Sequence, residues 1–305
     1  MMYSIGVDIG GSHVTSGMFE HSNKELIKDS IVSVQVDNTA PKSEILSLWS
    51  EAIQKSMAIC GIEQIEGIGL AVPGPFDYYN GVCLIKGVQK FDSLYGVNIR
   101  EELASRLNIS GDKIRFINDA ASFSIGEAKF GEASSYRRCV ALTLGTGFGS
   151  CFLVDGQPIV SGPDVPEQGV LYDKYFEGHM ADDLFSTRGL VNAYAQLSGK
   201  KVDSALDIYQ IAKGNSDACQ VFEDFGSKLG EFLKPNLSLF NAEVLVLGGN
   251  ISKAFEYFGD NLQEQLPGVK INVSQLNENA ALIGGASLFE KDYYAQLSST
   301  LKMMN

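Results

Sequence analysis

Three strand-length apolar runs each end in a glycine turn, and this recurrence narrows the possible folds more than any other feature of the chain. Tyr3 to Val7 runs into Asp8-Ile9-Gly10-Gly11-Ser12, and Val14 to Phe19 resumes an extended pattern. Cys139 to Leu144 runs into Gly145-Thr146-Gly147-Phe148-Gly149, with Ser150 to Val154 beyond. Val244 to Leu247 runs into Gly248-Gly249-Asn250 and then a helical stretch. The first two read as hairpins closed by glycine. Ser30 to Val36 adds a strand by β-branched alternation, Gly67 to Val72 another that Pro73-Gly74-Pro75 cuts, and Lys113 to Ile117 one more.

Helical signals separate these strands. Thr39-Ala40-Pro41 opens a helix that Thr39 can cap, with Ile45, Leu48, Ala52 and Ile53 on one face. Asn98 and Glu101 form a candidate capping box ahead of Leu103 and Leu107. From Ser186 to Phe240 the chain is rich in helix, with Val221, Phe222, Phe225, Leu229, Phe232 and Leu233 as an apolar face that Pro235 should kink or end. Leu282 to Phe289 falls in a closing helix. Hairpin-linked strands followed by strand–helix units predict an α/β protein with mixed sheets, not all-parallel ones.

Strand, glycine turn, strand occurs in both halves. That predicts two related lobes with a cleft between them: residues 1–119 with a C-terminal helix at about 291–305, and a larger lobe over 120–290. A chain of 305 residues with 45% apolar content is enough for two cores.

The stretch Arg115-Phe116-Ile117-Asn118-Asp119-Ala120 ends an apolar run in an Asn-Asp pair, and an Ala/Ser-rich helical segment follows. A carboxylate where a strand gives way to a helix can face a cleft, so Asp119 is the candidate base for a hydroxyl proton. Glycine lacks a Cβ and permits φ > 0, so successive amides can converge on phosphate oxygens. Gly10, Gly11 and Ser12, then Gly145, Thr146 and Gly147, are the candidate phosphate turns of ATP, and Gly248-Gly249 lets backbone lie against the purine. Asp8 is placed to position Mg²⁺ through water. The plainer reading keeps each glycine pair as a hairpin turn only and Asp8 as a turn residue. GxxxxGK[ST] is absent.

The net charge of −13 gives no attraction to a nucleic-acid backbone. Five scattered cysteines without a CxxC pair fit reduced thiols in the cytoplasm. No basic segment followed by an apolar stretch opens the chain, which predicts no signal peptide. No apolar run approaches the roughly 20 residues of a membrane span.

Five stretches together carry a resemblance: Ile5-Gly6-Val7-Asp8-Ile9-Gly10-Gly11-Ser12, Gly69-Leu70-Ala71-Val72-Pro73-Gly74-Pro75, Ile117-Asn118-Asp119-Ala120, Leu142-Thr143-Leu144-Gly145-Thr146-Gly147-Phe148-Gly149 and Val246-Leu247-Gly248-Gly249-Asn250-Ile251-Ser252. In this order they resemble the ROK family of sugar kinases, within the actin-like ATPase-domain superfamily, over essentially the whole chain. The resemblance implies two RNase H-like lobes, ATP and Mg²⁺, a homodimer, and a hexose or N-acetylhexosamine phosphorylated on a hydroxyl, most simply the 6-OH. It implies Asp119 as the catalytic base and Gly74, Asn118, Glu167 and Asp182 on the sugar side.

The chain also departs from the family pattern. Where the family carries Glu-x-Gly-His, this sequence has Glu167-Gln168-Gly169-Val170, and the family's cysteine cluster is missing. No structural zinc is therefore expected. His179 in Glu177-Gly178-His179 has the wrong spacing for that motif. Asp182 stands for a longer glutamate. Some relatives carry a DNA-binding module ahead of the first turn, and none is expected here. Three functions follow as expectations: an ATP-dependent sugar kinase, a sugar-binding regulatory protein that has lost turnover, and a partner-dependent ATPase without a sugar.

Overall fold

The computed structural model describes residues 2–62, 64–88 and 90–304, so Met1, Glu63, Gln89 and Asn305 of the expected first lobe lie outside the described residues. Two compact units emerge, Met1–Gly126 with Glu278–Asn305, and Glu127–Asn277.

The first unit opens with strands β1 (Tyr3–Ile9), β2 (His13–Glu20), β3 (Glu25–Leu26) and β4 (Val32–Gln35), then helix α1 (Lys42–Cys60) and strand β5 (Gly67–Val72). The short hairpin β6 (Phe76–Asp77) and β7 (Val82–Cys83) precedes helix α2 (Ile99–Leu107), strand β8 (Ile114–Asn118) and helix α3 (Asp119–Phe130). The sheet order is β3-β2-β1-β5-β8, with β4 also paired to β2. β1 and β2 are antiparallel, whereas β1, β5 and β8 are parallel. All six residues of β5 are buried, as expected of a parallel strand covered on both faces.

The second unit repeats this plan. β9 (Arg138–Leu144) and β10 (Phe148–Val154) form an antiparallel hairpin, extended by β11 (Gln157–Pro158). The small hairpin β12 (Tyr175–Phe176) and β13 (His179–Met180) leads into α4 (Ala181–Phe185), α5 (Thr187–Ser198), α6 (Ala205–Ala212) and α7 (Ser216–Phe240). Then come β14 (Val244–Gly248), α8 (Phe255–Gln265) and β15 (Lys270–Val273). The order β11-β10-β9-β14-β15, with β9, β14 and β15 parallel, matches the first sheet strand for strand from hairpin to far edge.

The chain then returns to the first unit as α9 (Asn279–Ser287) and α10 (Tyr293–Met303). Residues 120–126 and 278–290 thus group with the first unit, where the sequence reading assigns both to the second. For 278–290 the physical reason is the absence of side chains under α9. A Cβ on Gly6 would lie 1.8 Å from the carbonyl oxygen of Leu282, and one on Gly69 would lie 1.9 Å from that of Gly285. α9 therefore rests with its backbone directly on β1 and β5.

Two local expectations change. Thr39 does not cap α1: its N–H and hydroxyl both donate to Asp37 Oδ1, at 2.8 and 2.6 Å, and Pro41 holds the N-cap without a side-chain bond. α7 does not end at Pro235 but runs on to Phe240. An interior proline costs about 3 kcal/mol, and burial of Leu237 and Phe240 beyond it offsets that. Asn98 supplies one half of its predicted capping box, accepting the Glu101 N–H at 3.2 Å.

Candidate active site

The C-terminal ends of β1, β5 and β8 lie level with one another, since Asp8 pairs with Ala71, Ala71 with Ile117, and Val72 with Asn118. Asp8 and Asn118 stand on the last rungs of these parallel pairings, and Asp119 follows directly. Asp8, Gly74 and the Asn118-Asp119 pair all belong to this edge.

Asn118 ends β8 and caps α3: its Oδ1 accepts the Ala121 N–H at 3.1 Å. Its Nδ2 donates to Asp119 Oδ1 at 3.0 Å and to the Tyr78 hydroxyl at 3.2 Å. Tyr78 is fully buried and donates in turn to the Val72 carbonyl at 3.3 Å. Asp119 Oδ1 also accepts the Ala120 N–H at 2.9 Å. One carboxylate oxygen of Asp119 is thus anchored twice, while no other residue hydrogen-bonds Oδ2 among the described residues. This leaves an oriented lone pair for an incoming hydroxyl.

Burial pushes the Asp119 carboxyl above its usual range, against the Ala120 N–H, the Lys90 ammonium, its own backbone N–H and the Asn118 amide. Burial also raises Asp8, to about 7, helped by the negative charges of Asp119 and Glu278. Lys90 and Glu278 are absent from the sequence reading. Phe91, the residue after Lys90, is buried, packs edge-on to Trp49 at 5.7 Å, and donates its N–H to the Asn38 carbonyl at 2.7 Å. Asn38 Nδ2 in turn holds the Gly11 carbonyl.

The glycine turns differ from the expected geometry in one respect. Gly10, Gly11, Gly145, Gly147 and Gly248 do not have left-handed φ; Gly249 does, at 82°. Their contribution is bare backbone. Nothing lies within 4 Å of a Cβ built on Gly145, and one on Gly11 meets only Asn38 Nδ2 at 3.9 Å. Gly10 donates its N–H to the His13 carbonyl at 2.9 Å, closing the first hairpin. In the second unit Gly145 N–H donates to Gly147 O at 3.0 Å, which leaves Thr146 and Gly147 exposed at the tip. The parallel pairing of Gly248 with Thr143 brings Gly249 beside this turn, and a Cβ on Gly249 would lie 2.3 Å from the Leu144 carbonyl oxygen.

Glu167 is exposed in a short turn, Glu167–Gly169. Asp182 is different. Its Oδ1 accepts the Phe148 N–H at 2.7 Å and its Oδ2 accepts from Arg188 at 2.9 Å, so neither oxygen stands open. Gly74 follows β5 and is joined to Pro75 by a cis peptide bond.

Mg²⁺ fits the residues present in one way. Among the described residues no three His, Cys, Asp or Glu side chains converge as ligands. Asp8 is instead a single carboxylate pressed by two others, and a hydrated divalent cation would relieve that repulsion. No helix among the described residues is long and apolar enough to cross a membrane.

A sequence model of the ROK family matches residues 4–292. A glucokinase from Thermotoga maritima is 26% identical, over 94% of this chain and 97% of its own. An N-acetyl-D-glucosamine kinase from Erwinia tasmaniensis is 28% identical, over 86% of this chain and 88% of its own. The fold is that of a ROK family glucokinase from Streptomyces griseus solved with glucose and AMPPNP, with a TM-score of 0.74 at 20% identity, over 94% of this chain and 98% of that one.

Proposed function

The chain belongs to the ROK family, and from that premise we propose that it transfers the γ-phosphoryl group of ATP to the 6-hydroxyl of a hexose or N-acetylhexosamine. It is a sugar kinase, a phosphotransferase of the hexokinase type with an alcohol as acceptor. The observation that carries the residue assignment is the Asp119 carboxylate, anchored through Oδ1 and, among the described residues, unengaged by neighbours at Oδ2.

In this reading Asp119 Oδ2 accepts the proton of the sugar hydroxyl. The hydroxyl oxygen forms its bond to the γ-phosphorus as the bond from that phosphorus to the bridging oxygen breaks, and ADP leaves. A carboxyl held above its usual range is a better proton acceptor near neutral pH than an unshifted one. Positioning and charge stabilisation supply most of the rate in such transfers. Asn118 fixes the Asp119 rotamer, Gly74 is the candidate sugar contact beside it in the first unit, and Glu167 is the candidate sugar contact of the second unit. Within the first unit Gly10, Gly11 and Ser12 are the turn that would meet phosphate; within the second, Gly145, Thr146 and Gly147 would do so, with Gly248-Gly249 toward the adenosine. Asp8 would be the residue to hold a hydrated Mg²⁺, which would supply neutralisation of phosphate charge. The protein works in the cytoplasm as a homodimer.

One observation favours a second reading, a sugar-binding protein without turnover. Val170 stands where the family carries a histidine. ADP formation on a panel of glucose, N-acetylglucosamine, N-acetylmannosamine and fructose separates the two. The kinase gives ADP only with an accepted sugar, whereas binding by calorimetry without any sugar phosphate would leave the second reading standing.

Lys90 gives a pH test. The base works ionised, and the Lys90 charge favours that form. Without the cation the Asp119 carboxyl keeps its proton to higher pH. Lys90→Met should therefore move the acid limb of the kcat/KM profile to higher pH. An unmoved limb, or one moved to lower pH, would remove Lys90 from the environment of the base.

A further inference from the structure

Resting on the reading above that Gly145-Thr146-Gly147 receives ATP phosphates, we propose that Asp182 positions this nucleotide turn and does not bind the sugar. Three contacts support this, all within the second unit. Asp182 Oδ1 accepts the N–H of Phe148, the residue that leaves the turn, at 2.7 Å. Thr187 grips the other side, donating both its N–H and its hydroxyl to the Gly145 carbonyl, at 2.8 and 2.9 Å. Asp182 also lies close against the tip, since a Cβ on Gly147 would come within 3.3 Å of Asp182 Oδ1.

The segment from Asp182 to Thr187 is therefore a brace that holds the turn at its entry and its exit. Arg188 completes it. The guanidinium donates to Asp182 Oδ2 at 2.9 Å and to Asp183 Oδ1 at 2.6 Å, which fixes the carboxylate that holds Phe148. Each Asp182 oxygen already accepts one hydrogen bond, Oδ1 from the turn and Oδ2 from Arg188, so the carboxylate is oriented by the turn and its brace. Thr146 and Gly147, exposed at the tip, are then free to meet phosphate from a backbone that does not need to reorganise.

The test uses the full chain, steady-state kinetics and calorimetry with Mg·AMPPNP and with the accepted sugar. Asp182→Ala should raise the KM for ATP and weaken AMPPNP binding about tenfold, the size of one lost charge-assisted hydrogen bond, with the KM for sugar changed less than about twofold. Asp182→Asn keeps an acceptor for Phe148 but loses the charge toward Arg188, and should fall between wild type and Asp182→Ala. Thr187→Val, which reaches the turn from the opposite side, should move the same nucleotide parameters, and it serves as well if Asp182→Ala fails to fold. A rise in the KM for sugar with unchanged nucleotide binding in the Asp182 variants overturns the proposal alone. Wild-type protein that binds no nucleotide overturns both the proposal and the kinase reading.

Discussion

Asp119→Ala is expected to lower kcat by about 10²–10⁴-fold, the usual contribution of a placed general base, while sugar affinity stays within a few-fold of wild type. The expectation follows from what Asp119 touches. Its Oδ1 is held by Asn118 and by the Ala120 N–H, so the group arrives pre-aligned and little rotamer entropy is lost on reaction. Alanine also removes the acceptor for the Ala120 N–H in the first turn of α3, at a cost of about 1 kcal/mol in stability. Asp119→Asn keeps that acceptor and is the cleaner variant: it should match alanine in lost turnover but unfold close to the wild-type temperature. Both variants remove a negative charge that helps raise Asp8, so the Asp8 carboxyl should titrate at lower pH in them than in wild type. Full activity in either variant would take Asp119 out of the chemistry.

The second large effect is on stability. Gly69→Ala should destabilise the first unit by about 3 kcal/mol or more, because the new Cβ would have to displace helix backbone and not the end of a flexible side chain. For a unit of this size that is a fall of about 10 °C in Tm, measured by thermal unfolding. Leu70, next to it in β5, is also fully buried, yet Leu70→Met should cost less than about 1.5 kcal/mol because volume is conserved. Equal losses from the two substitutions would mean that α9 does not lie on β5 as described.

The contrast between these two sites explains how much the sequence could disclose. The strands around each glycine turn were legible because their periodicity is local, and the shared hairpin-then-parallel order of both sheets follows from it. Asn118-Asp119 was legible because a polar pair at the end of an apolar run has few structural uses. α9 was placed in the wrong half because it joins the first unit through contacts with Gly6 and Gly69, more than two hundred residues away in the chain, and the absence of a side chain leaves no pattern. Lys90 and Glu278 escaped notice for a similar reason. They act on Asp119 and Asp8 from separate segments, and neither sits in a motif of its own. The glycine turns were found, but the φ > 0 argument for them held only at Gly249; elsewhere the need is for exposed backbone. Of the two outcomes expected at Pro235, a kink or an end, the helix does not end there, because local propensity weighs less than the burial of Leu237 and Phe240 beyond it.

The most direct test of the central claim is the distance from Asp119 Oδ2 to the acceptor hydroxyl in crystals grown with AMPPNP and the sugar that supports ADP formation. A separation of hydrogen-bond length, about 2.6–3.2 Å, with that hydroxyl facing the γ-phosphorus, is the predicted result. A hydroxyl that Asp119 cannot reach, even through one water, would contradict the account.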